Sequence, residues 1–172
     1  NYCIGDRKVV GVKVRDRVSD KSFEIRSRAV VNAAGPWCDS LNRPASLGRL
    51  NTGFARGAHI ITRPLLGNFA VALPSTFRAD GVATRGNRHI FVIPWRGHSL
   101  IGTSYIEANE PSGELVPTNS EIDQLIETVN ASLPKANLSR TDVRQSFAGY
   151  YPLQNPAIQR GVYQGTGEYQ LV

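Results

Sequence analysis

Three histidines, His59, His89 and His98, carry the side chains that exchange protons most readily near neutral pH, with an ordinary pKa of about 6.5. Their separations do not match a metal-ligand pattern, and no metal site is expected. His89 and His98 stand at the starts of strand-like runs and read as structural. His59 sits in Ala58-His59-Ile60-Ile61-Thr62, where residue chemistry alone favours a packed structural histidine over a proton acceptor. Arg160, in Pro156-Ala157-Ile158-Gln159-Arg160, offers a guanidinium fork able to hold two anionic oxygens, although a single arginine among many is first of all a surface residue. A third candidate is the corner Ala33-Ala34-Gly35 followed by Pro36-Trp37. Small residues at a strand end allow close approach of a ligand, and a helix starting at Pro36 can face a phosphate; tight strand–helix packing explains the same pattern equally well. Asp39, Glu121 and Asp142 are accounted for by helix-terminal positions, and no nucleophile triad is apparent.

The elements that must position these residues follow from periodicity. Val9–Arg15 and Ser22–Arg26 alternate as the two arms of a hairpin around Val18–Lys21. Ala29–Gly35 is an apolar run expected to be a buried strand, with a short helix from Pro36 to Leu41 after it. Short strands are then expected at Ala58–Thr62, Phe69–Leu73, His89–Ile93 and Ser99–Gly102, separated by Gly, Pro and Asn as in an antiparallel sheet. Ile122, Leu125, Ile126, Val129 and Leu133 recur at three- and four-residue steps and predict a helix over Pro117–Leu133. Thr118 and Glu121 form its capping box, and Pro134 follows its end. A second short helix is expected from about Ser139 through Phe147, then a loop at Tyr150–Leu153 and returning strands near Gly161–Tyr163 and Tyr169–Val172.

Composition narrows the function classes. A chain of 172 residues with 41% hydrophobic and 20% charged residues resembles an ordinary globular domain, which argues against disorder, and no apolar run approaches the ~20 residues of a spanning helix. The net charge of +6 favours an acidic partner, but the basic residues are scattered singly, which argues against nucleic acid. Cys3 and Cys38 are far apart and suit packing in a reducing compartment. Without an initiator Met, and with a strand-like end, the chain is expected to be an internal piece of a longer protein.

Several motifs occur together in one order: GVKVRD, VVNAAGPW, RGAHIITRP, HIFVIPW followed by SLIGTS, SEIDQLIETVN, and FAGYYPL. In this combination the chain resembles the FAD-dependent glycerol-3-phosphate dehydrogenases of the D-amino-acid-oxidase-like flavoprotein group. The resemblance implies an α/β protein, α+β within this piece: the end of an FAD-binding domain followed by an antiparallel-sheet substrate domain with helices. Residues 1–40 would supply the hairpin and last strand of the FAD domain, and residues 41–172 an incomplete substrate domain. Ala33, Ala34, Gly35 and Trp37 would lie beside the FAD. No GxGxxG follows a strand, so the main phosphate-binding motif is absent from this sequence and the isolated piece is expected to be inactive.

The resemblance also implies roles. His59 matches a histidine facing substrate above the flavin, and Arg160 an arginine associated with the substrate phosphate. The implied reaction oxidises sn-glycerol 3-phosphate to dihydroxyacetone phosphate by hydride transfer to FAD. The family passes electrons to membrane quinone or to oxygen, which implies a cytoplasmic enzyme with peripheral contact to the inner face of the cell membrane; the basic charge favours such docking. Two positions depart from the family pattern. Tyr151 replaces an arginine before Pro152-Leu153, and Tyr105 replaces an acidic residue after Gly102-Thr103-Ser104. These tyrosines suit a pocket remodelled for a less charged substrate. Two alternatives therefore stay open: a related FAD-dependent oxidase or dehydrogenase of an amine, amino acid or other hydroxy acid, and a non-catalytic interaction module.

Overall fold

Side-chain alternation along one long strand organises most of this chain. The computed structural model describes residues 1–49, 53–74, 89–108 and 115–153, and contacts divide them into two units, the first ending at residue 49 and the second beginning at residue 53. The protein is mixed α/β, built on antiparallel sheets with few helices.

In the first unit, β1 (Tyr2–Gly5), β2 (Lys8–Arg15) and β3 (Ser22–Arg26) form a three-stranded antiparallel sheet. The β2–β3 pair is the expected hairpin, with Val12 opposite Ile25 and Val14 opposite Phe23. Its turn is fixed by Asp16, whose carboxylate accepts from Val18 N at 2.9 Å, an Asx turn that suits aspartate. β1 was not anticipated, because Tyr2-Cys3-Ile4-Gly5 is too short to show a period. The strand expected at Ala29–Gly35 is not formed: residues 27–34 belong to no ladder among the described residues. An apolar run becomes a strand only where a neighbour takes its backbone hydrogen bonds. Asn32 supplies local bonds instead. Its amide donates to Cys38 O at 3.1 Å and to Asn42 Oδ1 at 3.0 Å, and its oxygen accepts from Ala34 N at 3.2 Å. A 3-10 turn over Gly35–Trp37 carries Pro36 in its first turn and leads into α1 (Cys38–Asn42), as proline's missing N–H predicts.

The second unit is a six-stranded antiparallel sheet. Its centre is β4 (Phe54–Thr62), extended beyond the expected Ala58–Thr62. β5 (Val71–Pro74), β6 (His89–Trp95) and β7 (His98–Gly102) follow in order toward it. One edge of β4 is shared: β7 pairs with His59–Thr62, and β8 (Ile106–Ala108) pairs with Phe54–Arg56. The other edge is covered along its whole length by β9 (Val143–Pro152).

Residues 143–152 thus correct two expectations, the helix through Phe147 and the loop at Tyr150. Helical character after Ser139 is confined to one 3-10 turn, Arg140–Asp142. Nine backbone partners offered by β4 outweigh local propensity, and the aromatic and β-branched residues of β9 suit a strand. The expected strands near residues 161–163 and 169–172 lie outside the described residues.

α2 (Asn119–Ser132) follows the predicted periodicity, with the Thr118–Glu121 capping box complete. Leu125, Ile126 and Val129 pack with Ile60, Leu73, Ile90, Val92, Ile101 and Leu138 on one face of the sheet. Asn130 fastens the helix end to the chain returning toward β9, donating to Leu138 O at 2.8 Å and accepting from Leu138 N at 2.7 Å. Leu125 is wholly buried, so Leu125→Ala in the full-length protein should lower unfolding free energy by about 3 kcal/mol, read from denaturant titration. A loss below about 1 kcal/mol would mean that this helix is not seated on the sheet.

Candidate functional site

Alternate residues of β4 point to opposite faces of the sheet. Ala58 and Ile60 face α2, whereas Ala55, Gly57, His59 and Ile61 share the opposite face. That second face continues through Leu100 and Gly102 on β7, Phe91 and Ile93 on β6, and Phe147, Gly149 and Tyr151 on β9, as strand register requires. Phe91 is 49% exposed, Ile93 37%, Trp95 48% and Phe147 41%. An apolar sheet face left this open is a surface for a ligand or another part of a protein.

His59 lies within this face. Its ring stacks on Phe147, centroids 5.2 Å apart and planes 8° from parallel. Across the strand it lies directly over Gly102, where a built Cβ would fall inside the imidazole; any side chain there would expel the ring. Burial lowers the His59 pKa below its ordinary value, so the neutral imidazole predominates at pH 7. Neither ring nitrogen has a hydrogen-bond partner among the described residues. A neutral, partly desolvated imidazole with an uncommitted nitrogen is competent to accept a proton from a bound ligand.

Tyr105 and Tyr151 meet at the other end of the face, centroids 5.6 Å apart and tilted by 42°. They pack with Ala55 and Leu153, and Tyr105 is only 8% exposed. Of the two expected substrate contacts, Tyr105 is buried, while Tyr151 keeps part of its surface open. They are not beside His59: Ala55, opposite Tyr151, is four residues along β4, roughly 13 Å at strand rise. Between them lies the pair Gly57 and Gly149. A Cβ at Gly149 would meet nothing within 4 Å, so the face is open over β9 here, whereas Gly57 is buried beneath the side chain of Thr103. Arg160, the expected phosphate ligand, lies outside the described residues.

Behind the face is a polar cluster that sequence reasoning did not find. Glu121 was explained by its cap position alone, yet it is 1% exposed and also binds Arg56 Nη2 at 2.6 Å and Ser104 Oγ at 3.0 Å. The missed signal was the arginine two residues before Ala58, on the face that turns toward the helix.

In the first unit, residues 33–35 carry nothing larger than a methyl group, and Gly35 adopts φ +56 with no atom within 4 Å of a built Cβ. A left-handed backbone and open space suit glycine there and leave the main chain accessible to a flat or phosphorylated ligand. Ala33 and Ala34 line a cavity of about 330 Å³ with Val12, Val14, Val30 and Lys13. Trp37 does not line it and is 46% exposed. α1 has five residues, too few for a strong helix dipole toward a phosphate.

Among the described residues no three His, Cys, Asp or Glu side chains group as a metal site, and no helix is long and apolar enough to cross a membrane. Cys3 and Cys38 are free thiols.

Comparison with known proteins agrees with the motif order. A Staphylococcus aureus aerobic glycerol-3-phosphate dehydrogenase is 29% identical over 150 residues, covering 86% of this chain and 26% of that protein. A Synechocystis glycerol-3-phosphate dehydrogenase is 31% identical over 155 residues, 84% of this chain and 27% of its own length. The chain thus spans about a quarter of these relatives. The structure of glycerol-3-phosphate dehydrogenase from Bacillus halodurans complexed with FAD superposes with a TM-score of 0.74 at 28% identity, over 88% of this chain and 30% of that one. Glycine oxidase from Geobacillus kaustophilus shares the fold at TM-score 0.52 and 18% identity, over 76% of this chain and 31% of that one. The model of the FAD dependent oxidoreductase family matches residues 3–170, and the chain belongs to that family.

Proposed function

We propose that the full-length protein is an FAD-dependent glycerol-3-phosphate dehydrogenase, oxidising sn-glycerol 3-phosphate to dihydroxyacetone phosphate. The observation that carries this reading is the state of His59: neutral, half-buried, without a hydrogen-bond partner among the described residues, and set in an open apolar face. Similarity to the relatives named above supplies the substrate class.

FAD, when bound, supplies the acceptor for the two electrons and the hydrogen leaving the secondary carbinol carbon. The small residues Ala33, Ala34 and Gly35 fit close approach by such a cofactor, and the apolar face around Ile61, Leu100, Ile93 and Phe147 fits a flat ring or a substrate held against one. His59 takes the hydroxyl proton as the carbinol becomes a carbonyl, so proton and hydride leave by separate routes. Phe147 and Gly102 hold the imidazole plane, and the surrounding apolar side chains limit water. Arg160 pairs with the phosphate through its two-pronged donor geometry.

The tyrosine pair favours a second reading, an oxidoreductase of the same group acting on a less charged substrate. Tyr151 offers a phenol where the family pattern has a cation. We further propose a cytoplasmic protein that docks peripherally on anionic membrane, in keeping with its net charge of +6, and passes electrons to quinone.

Protonated His59 cannot accept a proton. The rate of flavin reduction by glycerol 3-phosphate should therefore rise with pH and level off through a midpoint below about 6.5, because burial lowers the His59 pKa. His59→Gln should slow reduction by about 10² to 10⁴-fold and abolish that midpoint in stopped-flow traces. An unchanged rate would remove His59 from the chemistry. Arg160→Ala should raise KM for the phosphate ester by about 10- to 100-fold, the worth of charge-assisted hydrogen bonds, with little change for glycerol; equal effects on both substrates would favour the second reading.

A further inference from the structure

The central strand has a gap in its pairing immediately before His59. β7 serves β4 from His59 onward and β8 serves it up to Arg56, so neither strand reaches Gly57 and Ala58 on that edge. Ser104 fills the gap. Its N–H donates to Ala58 O at 3.1 Å, and its hydroxyl oxygen accepts from Ala58 N at 2.7 Å. One residue thus holds both backbone groups of Ala58, next to the candidate proton acceptor. The Ser104 hydroxyl can present a lone pair to Ala58 N only if its own proton is directed elsewhere. Glu121 Oε1 accepts that hydrogen bond from Ser104 Oγ at 3.0 Å.

The remaining contacts of Glu121 prevent it from turning away. Oε2 accepts from Arg56 Nη2 at 2.6 Å, Thr118 N at 2.8 Å and Thr118 Oγ1 at 2.9 Å. Ordinary capping uses only the reach back to the Thr118 backbone. Here the carboxylate is buried, and one oxygen is committed to a strand junction on the sheet. Ser104 also belongs to the segment carrying Gly102, whose lack of a side chain makes room for the His59 ring. A slip of this segment would move the floor under the ring and the backbone that bears it together.

We propose that Glu121 is a positioning residue for His59, acting through Ser104 to fix Ala58 and the Gly102 floor from the opposite face of the sheet. The inference rests on the reading of His59 as the proton acceptor. The described residues sharing the face around His59 are uncharged: Gly57 and Ile61 on β4, Leu100 and Gly102 on β7, Phe91 and Ile93 on β6, Gln145, Phe147 and Gly149 on β9, and Thr103 over Gly57. Its titration therefore reports how closely these neighbours pack.

The test uses the full-length holoprotein with Ser104→Ala, Glu121→Gln and, as a control, Asn130→Ala. The control loosens the far end of the same helix without touching Glu121. Histidine labelled with ¹³C at Cε1 gives a resonance for His59 that the Phe147 ring displaces, and its titration needs no substrate. Ser104→Ala and Glu121→Gln should each move that resonance toward the solvent value and raise the His59 midpoint toward about 6.5, while Asn130→Ala leaves both as in wild type. Flavin reduction should slow by about 10-fold or more in the first two variants and not in the control. A His59 signal unchanged in Glu121→Gln or in Ser104→Ala, or changed equally in Asn130→Ala, would overturn the proposal. If the signal moves as expected while glycerol 3-phosphate fails to reduce wild-type flavin, positioning stands and the substrate reading fails.

Discussion

The second unit depends on one buried carboxylate. Glu121 joins three things that would otherwise be independent: the start of α2, the side chain of Arg56, and the Ser104 bracket at Ala58. A buried ion pair is weak evidence for stability, because desolvation offsets much of the attraction. Its value here is geometric. Several donors converge on one carboxylate, so helix and strand junction hold a single relative register. Apolar packing of Leu125, Ile126 and Val129 against the sheet supplies the bulk of the driving force, but packing alone tolerates small slips.

That constraint separates the two faces of the sheet by role. The face toward α2 is packed with aliphatic side chains around one buried polar cluster, Arg56–Glu121–Ser104. The opposite face keeps Phe91, Ile93, Trp95 and Phe147 substantially exposed, and between its two aromatic ends Gly149 leaves the β9 side open while Thr103 covers Gly57. Such an arrangement would be a liability on a surface meant only for solvent. It is well suited to a flat apolar cofactor or to a small substrate held near a neutral imidazole. The long register of β4 with β9 sets the distance between His59 and Tyr151, so the same strand pair that builds the core also sets the dimensions of the open face.

Much of this was legible in the sequence. The α2 periodicity, its capping box, the first hairpin and four strands of the second sheet follow from alternation and turn residues. The motif order around His59 led to the family. What stayed hidden depended on partners distant in the chain. Ala29–Gly35 looks like a strand, yet it forms no ladder among the described residues. Residues 143–152 have a pattern compatible with a helix until the nine-residue edge of β4 is known. Glu121 looked fully explained by its cap, and nothing local revealed that its other oxygen reaches Ser104 across the helix–sheet interface. Tyr105 stood out as an unusual residue, but its burial against Leu153 is a property of the fold.

The proposed role of this open face is oxidation of a phosphorylated carbinol in a flavoprotein. Its most direct test is anaerobic flavin absorbance of the full-length holoprotein, titrated with sn-glycerol 3-phosphate beside glycerol, lactate and a panel of amino acids. Bleaching by the phosphate ester alone is expected. Bleaching by an amino acid or an unphosphorylated hydroxy acid, or by none of these compounds, would contradict it.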